Sequence, residues 1–136
     1  KFNDCRKILK FYGLSNIGGH DMLIFEWASL GSLKNVYEKN PKIPWNLKVK
    51  IAHDICLGLL YLSHHDILHR DIRCESIMMT YYMEPKITNF HLAKHISKLG
   101  PDNEDKISDH ILGIINWSAP EMMQMNAIYT KECEVF

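Results

Sequence analysis

The chain has 136 residues, in which 16 Lys and Arg balance 16 Asp and Glu, and 46% of its residues are hydrophobic. This length allows one domain with a core, and the balanced charge gives no bulk attraction to nucleic acid or to an anionic membrane surface. No apolar run approaches the roughly 20 residues that a membrane span needs. We therefore expect a globular domain, or a piece of one, that binds neither nucleic acid nor spans a membrane.

The start of the chain and its cysteines bear on the compartment. The sequence begins at Lys1 without an initiator Met and without a signal-peptide pattern, so we expect it to lie inside a longer, cytoplasmic product. The four cysteines are far apart and form no C-x-x-C pair, which predicts reduced thiols and no zinc site. We expect no haem either.

The first third of the chain predicts a strand and a short helix. Residues 22–27 are an apolar run after the turn signal at residues 18–21, and they predict a buried strand. Ser32 is a suitable N-cap for the helix that follows. Pro41 and Pro44 end that helix, because proline lacks the amide donor and fixes φ.

The strongest helical pattern spans residues 45–63. Apolar residues recur three and four apart on one face, while Lys48, Lys50 and Asp54 lie off it, as is typical of a helix packed on a core. Residues 64–66, with their two adjacent histidines, predict a turn and not a metal site. The predicted apolar face consists of Leu47, Ile51, Ile55, Leu59 and Leu62, widened by Ala52, Cys56 and Leu60.

Short strands follow the helix. Residues 67–68 and 77–79 are apolar runs on either side of a polar loop. Residues 86–88 alternate in polarity and predict a hairpin with residues 77–79, turning across residues 81–84.

The last third is less regular. Residues 91–110 are mostly polar and predict a long mobile loop of the kind that carries function. Residues 111–117 are expected to return to the core. Short helices are predicted to begin at Ser118 and at Tyr129.

The polar loop holds the carboxylate of Asp71 between two cations, Arg70 and Arg73. A carboxylate in a loop can accept backbone amides and hold the loop in shape, or it can serve as a general base. The residues alone leave both roles open. The order His69-Arg70-Asp71 resembles the catalytic loop of eukaryotic protein kinases, H-R-D-x-x-x-x-N, with Ser76 in place of the Asn.

Further motifs, in the family's order, support this resemblance. Residues 23–28 with Gly31-Ser32-Leu33 look like the last strand and the hinge of a kinase small lobe. Asn89-Phe90-His91 stands where the family has D-F-G, and Ala119-Pro120-Glu121 is an unaltered A-P-E. Trp117 and residues 129–131 look most like the tyrosine-kinase-like and mixed-lineage-like branches.

The resemblance implies a partial protein-kinase-like α+β fold over residues 1–136. Residues 1–28 would be the end of the small lobe and the hinge. Residues 29–136 would be the first half of the mainly helical large lobe, with the catalytic loop and the activation segment. The Gly-rich loop, the strand Lys and its helix Glu would precede Lys1. The expected partners are the remainder of the kinase-like domain and other signalling proteins.

The resemblance also implies catalytic and regulatory roles. Asp71 would accept the proton of the substrate hydroxyl, and Arg73 would lie near the transferred phosphoryl group. His69 would pack with Phe90 in a hydrophobic column. Arg70 would pair with a phosphorylated residue of the 91–110 loop. The candidate phosphosites are Ser97 and Ser108, which are otherwise plain solvated serines.

The implied nucleotide site lies around the hinge. Phe25 would be the gatekeeper, Glu26 and Ala28 would offer backbone groups to adenine, and Met78 would form the floor of the pocket. Glu121 would pair with an Arg beyond this sequence, or else be exposed.

The expected metal ligands depart from the family pattern. Mg²⁺ prefers anionic oxygen, and Asn89 keeps the shape of the D-F-G Asp without its charge. Ser76 is shorter than the usual Asn and would reach a second ion only through water. His91 replaces a Gly whose freedom in φ a residue with Cβ lacks. Two further departures are Ile114 after Gly113 in the activation segment, and Glu134 for the Asp that braces the catalytic loop.

Together the departures predict a pseudokinase that binds ATP and Mg²⁺ weakly and acts in signalling as a switch or scaffold. Two alternatives stay open. One is an active kinase that uses Asp71 to transfer the γ-phosphate of ATP to a Ser, Thr or Tyr hydroxyl. The other is the remnant of a kinase gene, without a function of its own.

Overall fold

The computed structural model describes residues 4–98, 115–124 and 127–136, and it contains both strands and helices, as an α+β fold requires. The chain forms two compact units, one from Lys1–Gly58 with Cys74–Thr88 and the other from Leu59–Arg73 with Asn89–Phe136. The lobe boundary expected at residue 28 concerns a complete kinase-like domain and stays a prediction. Ser108, Gly113 and Ile114 lie outside the described residues.

The first unit begins with an antiparallel pair of strands. β1 (Phe11–Ile17) pairs with β2 (His20–Phe25) across Gly18 and Gly19, whose φ angles of 61° and 82° suit glycine. The strand prediction is confirmed, but its burial is wrong, because every residue of β2 is exposed. An apolar run indicates a strand without showing what covers it, and this sheet has two strands in the described part of the chain.

The α-helices of the first 64 residues lie where their sequence signals place them. α1 (Leu33–Lys39) is capped by Ser32. The Oγ of Ser32 accepts the backbone N–H of Asn35 at 3.2 Å, and the backbone N–H of Ser32 donates to Oδ1 of Asn35 at 3.0 Å. α1 ends before Pro41, and α2 (Trp45–His64) extends one residue past the prediction. No helix in the described ranges combines the length and apolar character needed to cross a bilayer.

The burial of α2 differs from the predicted apolar face. Ile51 and Leu62 are buried, whereas Ala52, Cys56 and Leu60 are exposed. Asp54, which we placed off the core face, is buried with its Oδ1 2.8 Å from the Nζ of Lys7. Periodicity does not reveal that a distant lysine supplies a partner for a carboxylate, so this part of the prediction is wrong.

A second sheet completes the first unit. β3 (Gly31–Ser32), β5 (Ile77–Met79) and β6 (Pro85–Ile87) form a three-stranded sheet in the order β3-β5-β6. The predicted hairpin of β5 and β6 is confirmed, with β6 starting one residue early. The segment before β1 bonds to β6, since Ile87 N–H donates to Lys7 O at 2.8 Å. The buried apolar residues of this unit are Ile8, Ala28, Leu33, Val36, Ile43, Ile51, Ile77, Met79 and Ile87.

Gly58 of α2 provides a test of this packing. A Cβ at residue 58 would lie 2.6 Å from Cδ1 of Ile87, which is fully buried, and 3.3 Å from Cβ of Lys7. Overpacking commonly costs about 1–3 kcal/mol, which exceeds the gain of about 1 kcal/mol from alanine's helix propensity. We therefore expect Gly58→Ala to lower the urea midpoint of the whole protein. Adding Ile87→Val, which removes Cδ1, should recover part of the loss, and a raised midpoint for Gly58→Ala would contradict this packing.

The second unit is built from short elements. β4 (Ile67–Leu68) pairs antiparallel with β7 (Lys94–His95). The predicted return to the core is wrong at Ile115 and Trp117, which are exposed. The helices predicted near residues 118 and 129 are 3-10 turns at Pro120–Met123 and Glu132–Glu134. Among the described residues of this unit, the buried apolar ones are Leu62, Leu68, Ala119, Met122 and Cys133.

Candidate functional site

The polar loop after β4 is held by a buried carboxylate far along the chain. Glu134 Oε2 accepts the backbone N–H of His69 at 2.9 Å, and its Oε1 accepts that of Arg70 at 2.8 Å. Arg70 has φ of 71°, in the left-handed region that a non-glycine residue adopts only when its surroundings hold it there. We counted Glu134 among the damaging departures, but its longer side chain reaches both amides. That part of the inference is wrong.

His69 is packed inside the second unit. It is fully buried, and its ring meets that of Phe90 edge-on at a centroid distance of 4.8 Å. Its Nδ1 accepts the backbone N–H of Asp71 at 3.2 Å, so the ring proton lies on Nε2 when His69 is neutral. The contact that the resemblance implies for His69 and Phe90 is present, and no acid or base role for His69 is needed to account for it.

Asp71 lies at the centre of the loop and is 4% exposed. Its Oδ1 is 2.8 Å from Nε of Arg73, and its Oδ2 accepts a hydrogen bond of 2.7 Å from Nδ2 of Asn89. These contacts are with side chains and fix the direction of the carboxylate. The choice between a loop-shaping carboxylate and a general base stays open on this geometry.

Asn89 connects Asp71 to His91. A carboxylate can only accept, so the NH₂ end of the Asn89 amide faces Asp71 and its carbonyl end faces outward. That carbonyl, Oδ1, lies 2.8 Å from Nδ1 of His91. The Nδ1 of His91 must therefore carry a hydrogen and donate it, because Oδ1 can only accept.

His91 lies in regular backbone in this structure. The residue with positive φ is Asn89, at φ 68° and ψ 49°, while His91 lies in the 3-10 turn Phe90–Leu92. Asn tolerates the left-handed region better than most residues. The positive φ that would suit a glycine thus falls on Asn89 in this structure, and the effect of a Cβ at residue 91 on a metal-bound arrangement stays a prediction.

The residues at the expected metal site do not fit Mg²⁺. The carbonyl oxygen of Asn89 is bonded to His91, and the end of the amide that faces Asp71 presents hydrogens. Mg²⁺ requires oxygen ligands and favours carboxylates, so this donor set suits it poorly. Ser76 is fully buried. The described ranges also contain no cluster of three or more His, Cys, Asp or Glu side chains placed to hold a metal.

Arg70 lies beneath an aromatic ring. Its guanidinium carbon is 5.9 Å from the ring centroid of Tyr129, and burial lowers the pKa of Arg70 although Tyr129 and Glu134 oppose this. Ser97 is exposed, with its Oγ 2.9 Å from Nδ1 of His95. The pairing of Arg70 with a phosphorylated Ser97 or Ser108 stays a prediction.

Tyr129 makes stability depend on alkaline pH. Burial first, and then the charge and hydrogen bond of Glu134, raise the pKa of Tyr129 far above its usual value near 10. Above about pH 10 the unfolded chain ionises this phenol while the folded chain keeps it protonated, so the free energy of unfolding falls by at most about 1.4 kcal/mol per pH unit. We expect Tyr129→Phe to flatten that decline in urea titrations at increasing pH. An unchanged slope would contradict the assignment.

The residues expected at the hinge lie in the first unit. The Glu26 N–H donates to Lys10 O at 2.8 Å, and the Glu26 carboxylate lies 3.2 Å from Nζ of Lys86. Ala28 is buried, and its carbonyl accepts the Gly31 N–H. Phe25 is exposed, and Met78 lies opposite Lys86 in the register of β5 and β6. The adenine contacts of these residues stay predictions.

Some contacts had no signal in the sequence. Glu121 is exposed, yet its Oε1 accepts a hydrogen bond from the thiol of Cys133 at 3.3 Å. The indole of Trp117 lies 5.9 Å from the guanidinium carbon of Arg73. The contact of Tyr129 with Arg70 also has no signal in the sequence. Each of these contacts joins residues distant in sequence and follows no periodic pattern, so we could not have found them from spacing.

Comparison with known proteins agrees with the motifs. The family described as protein tyrosine and serine/threonine kinase matches residues 1–136. A probable LRR receptor-like serine/threonine-protein kinase of Arabidopsis thaliana is 31% identical over 136 residues, which cover 96% of this chain and 13% of that protein. A probable serine/threonine-protein kinase of Dictyostelium discoideum is 31% identical over 130 residues, covering 95% of this chain and 14% of that protein.

The chain thus spans a small part of the length of the curated relatives that it matches. Its strands and helices fit a partial protein-kinase-like α+β fold. With the family match over its full length, the chain belongs to the protein tyrosine and serine/threonine kinase family.

Proposed function

We propose that this chain is the catalytic-loop and activation-segment part of a kinase domain in which phosphoryl transfer is lost or much reduced. One observation carries the proposal. At the position of the D-F-G Asp, Asn89 donates a hydrogen bond of 2.7 Å to Asp71 instead of offering an anionic oxygen to a cation. The pseudokinase function therefore rests on the chemistry of one side chain and its contacts.

Phosphoryl transfer depends on positioning and on neutralising the charge that develops on the phosphate oxygens. An uncharged amide at residue 89, with its oxygen bonded to His91, supplies little of that neutralisation. Both oxygens of the Asp71 carboxylate already have partners, Arg73 at Oδ1 and Asn89 at Oδ2, where a substrate hydroxyl would have to bind. Binding of ATP and Mg²⁺ is correspondingly weak in this proposal.

The role of such a domain would be conformational. Glu134 accepts the loop amides and Phe90 packs on His69, so the contacts that hold the loop in shape are present. The residue types expected to bind Mg²⁺ are absent from their positions. A protein with this combination suits a switch or scaffold in cytoplasmic signalling, where its partners would be other signalling proteins and the rest of its own domain. Trp117 and residues 129–131 favour the tyrosine-kinase-like or mixed-lineage-like branch.

A second candidate is an active kinase. The observation that favours it is Asp71 itself, a carboxylate that is present in the loop at the position where a general base is needed. The relatives in Arabidopsis and Dictyostelium carry names of serine/threonine-protein kinases. In this alternative the chain would transfer phosphate to a protein hydroxyl with a poorly held cation.

Phosphate transfer by the whole protein distinguishes the two candidates. Transfer from labelled ATP to a generic protein substrate would be measured for the wild type and for Asp71→Asn, with circular dichroism to confirm that both are folded. The proposed function predicts equal rates within about twofold. A drop of tenfold or more in Asp71→Asn would show that Asp71 is a working base and would favour the active kinase.

A further inference from the structure

We infer that His91 is a positioning residue, and that a bridge from Asp71 through Asn89 to His91 orders the start of the activation segment without a divalent cation. The inference rests on the proposed function only for the statement that residue 89 is not a metal ligand. It assigns a role to His91, and it gives Asn89 a part in holding structure.

The bridge has a defined direction of donation. Nδ1–H of His91 donates to Oδ1 of Asn89 at 2.8 Å, and Nδ2–H of Asn89 donates to Oδ2 of Asp71 at 2.7 Å. Hydrogen bonds that end on a charged acceptor are stronger than neutral ones, and successive bonds polarise each other. The negative charge of Asp71 is thus stabilised by a relay of two donors.

The carboxylate of Asp71 sets which way the amide points, and His91 supplies the N–H donor that this orientation requires. An amide rotated by half a turn would place its carbonyl oxygen against the carboxylate of Asp71, which is repulsive. In the observed orientation the same oxygen is bonded to His91, so the imidazole favours the arrangement that suits Asp71. Residues 89 and 91 therefore act as a pair, and both are needed to link Asp71 to the turn Phe90–Leu92.

The bridge lies beside a second anchor. The 3-10 turn Phe90–Leu92 is closed by the Ala93 N–H, which donates to the Phe90 carbonyl at 3.1 Å, and the Phe90 ring packs on His69. Asn89, at the centre of the bridge, is itself in the left-handed conformation. A carboxylate at residue 89 would face Asp71 across 2.7 Å and need a cation between the two charges. The amide removes that need.

Hydrogen–deuterium exchange of the whole protein tests the bridge. The amides of residues 89–93 would be followed in magnesium chloride and in EDTA for the wild type, His91→Ala, His91→Gln and Asn89→Asp. The matched control is His95→Ala, since His95 contacts Ser97 and lies outside the bridge.

We expect wild-type exchange to be the same with magnesium and with EDTA. His91→Ala should exchange about 3- to 10-fold faster, the range for losing one net hydrogen bond. His91→Gln, which keeps an N–H donor, should recover part of the protection, and His95→Ala should leave residues 89–93 unchanged. Asn89→Asp should exchange faster in EDTA and be slowed by magnesium. The inference would be overturned if magnesium slowed exchange of residues 89–93 in the wild type. It would also be overturned if His91→Ala exchanged these amides at the same rate as the wild type.

The tautomer of His91 gives a readout that general destabilisation would not produce. Nitrogen NMR of labelled histidines should show Nδ1–H for neutral His91 in the wild type and its loss in Asn89→Ala. An Nε2–H tautomer in the wild type would overturn the bridge. The outcome is separable from the proposed function, since phosphate transfer can be absent whether or not the bridge exists.

Discussion

Replacing Asn89 with Asp and His91 with Gly in the whole protein is expected to raise magnesium-dependent phosphate transfer by about 10²- to 10³-fold, the range associated with one preorganised electrostatic contact. The Asp supplies the missing anionic oxygen, and the Gly removes the imidazole that binds the side chain of residue 89. Transfer from labelled ATP to a generic protein substrate, with and without magnesium, would measure the gain. Adding Ser76→Asn restores the other residue type expected in the family's loop.

The same double change in an Asp71→Asn background is the control. It keeps the restored oxygen and removes the carboxylate that would accept the substrate proton, so the gain should disappear. If the wild type already transfers phosphate as fast as the double variant, the proposed loss of catalysis is wrong. A gain that persists in the Asp71→Asn background would show that the phosphate transfer does not use Asp71 as its base.

Glu134→Ala is expected to lower the free energy of unfolding by about 1–3 kcal/mol for each of the two buried N–H groups that lose their acceptor. The change leaves the buried N–H groups of His69 and Arg70 without their carboxylate acceptor and takes the nearby negative charge from the Arg70 guanidinium. Urea denaturation of the whole protein, followed by circular dichroism, would measure the loss.

Glu132→Ala is the matched control, because Glu132 lies in the same 3-10 turn but is exposed. It should leave the urea midpoint unchanged. Glu134→Gln should fall between the wild type and Glu134→Ala, since an amide keeps one acceptor oxygen and turns the other position into a donor that faces an N–H. Equal midpoints for Glu134→Ala and Glu132→Ala would show that Glu134 does not brace the loop.

Local signals in the sequence were enough to place the two α-helices and the β5–β6 hairpin, whereas β1, β3 and β7 were not predicted. Ser32 and the prolines bounded α1, a three- and four-residue period marked α2, and polarity with turn residues marked the β5–β6 hairpin. These signals act within a few residues, so they survive without tertiary context. The burial of β2 and of Asp54 could not be predicted in this way, because each depends on what the rest of the chain places against it.

The candidate site was located by its motif but not understood from it. Comparison with the family pattern marked His91 and Glu134 as damaging because their identities differ from the usual ones. In the structure, the two carboxylate oxygens of Glu134 accept both loop amides, and the positive φ falls on Asn89 instead of His91. Side-chain reach and the distribution of backbone angles are three-dimensional quantities that residue identity does not report.

The brace from Glu134 sets an order of events during synthesis. Glu134 lies 64 residues beyond Arg70 in the sequence. The loop around Arg70 is therefore synthesised long before the carboxylate that accepts its N–H groups. Bringing residues so far apart in sequence together costs more conformational entropy than forming a local helix or hairpin. Contacts between distant residues therefore slow folding. The left-handed backbone of Arg70 should therefore become fixed late, after α2 and the β5–β6 hairpin have formed, and a chaperone or protease would meet the loop in an open form until residue 134 arrives.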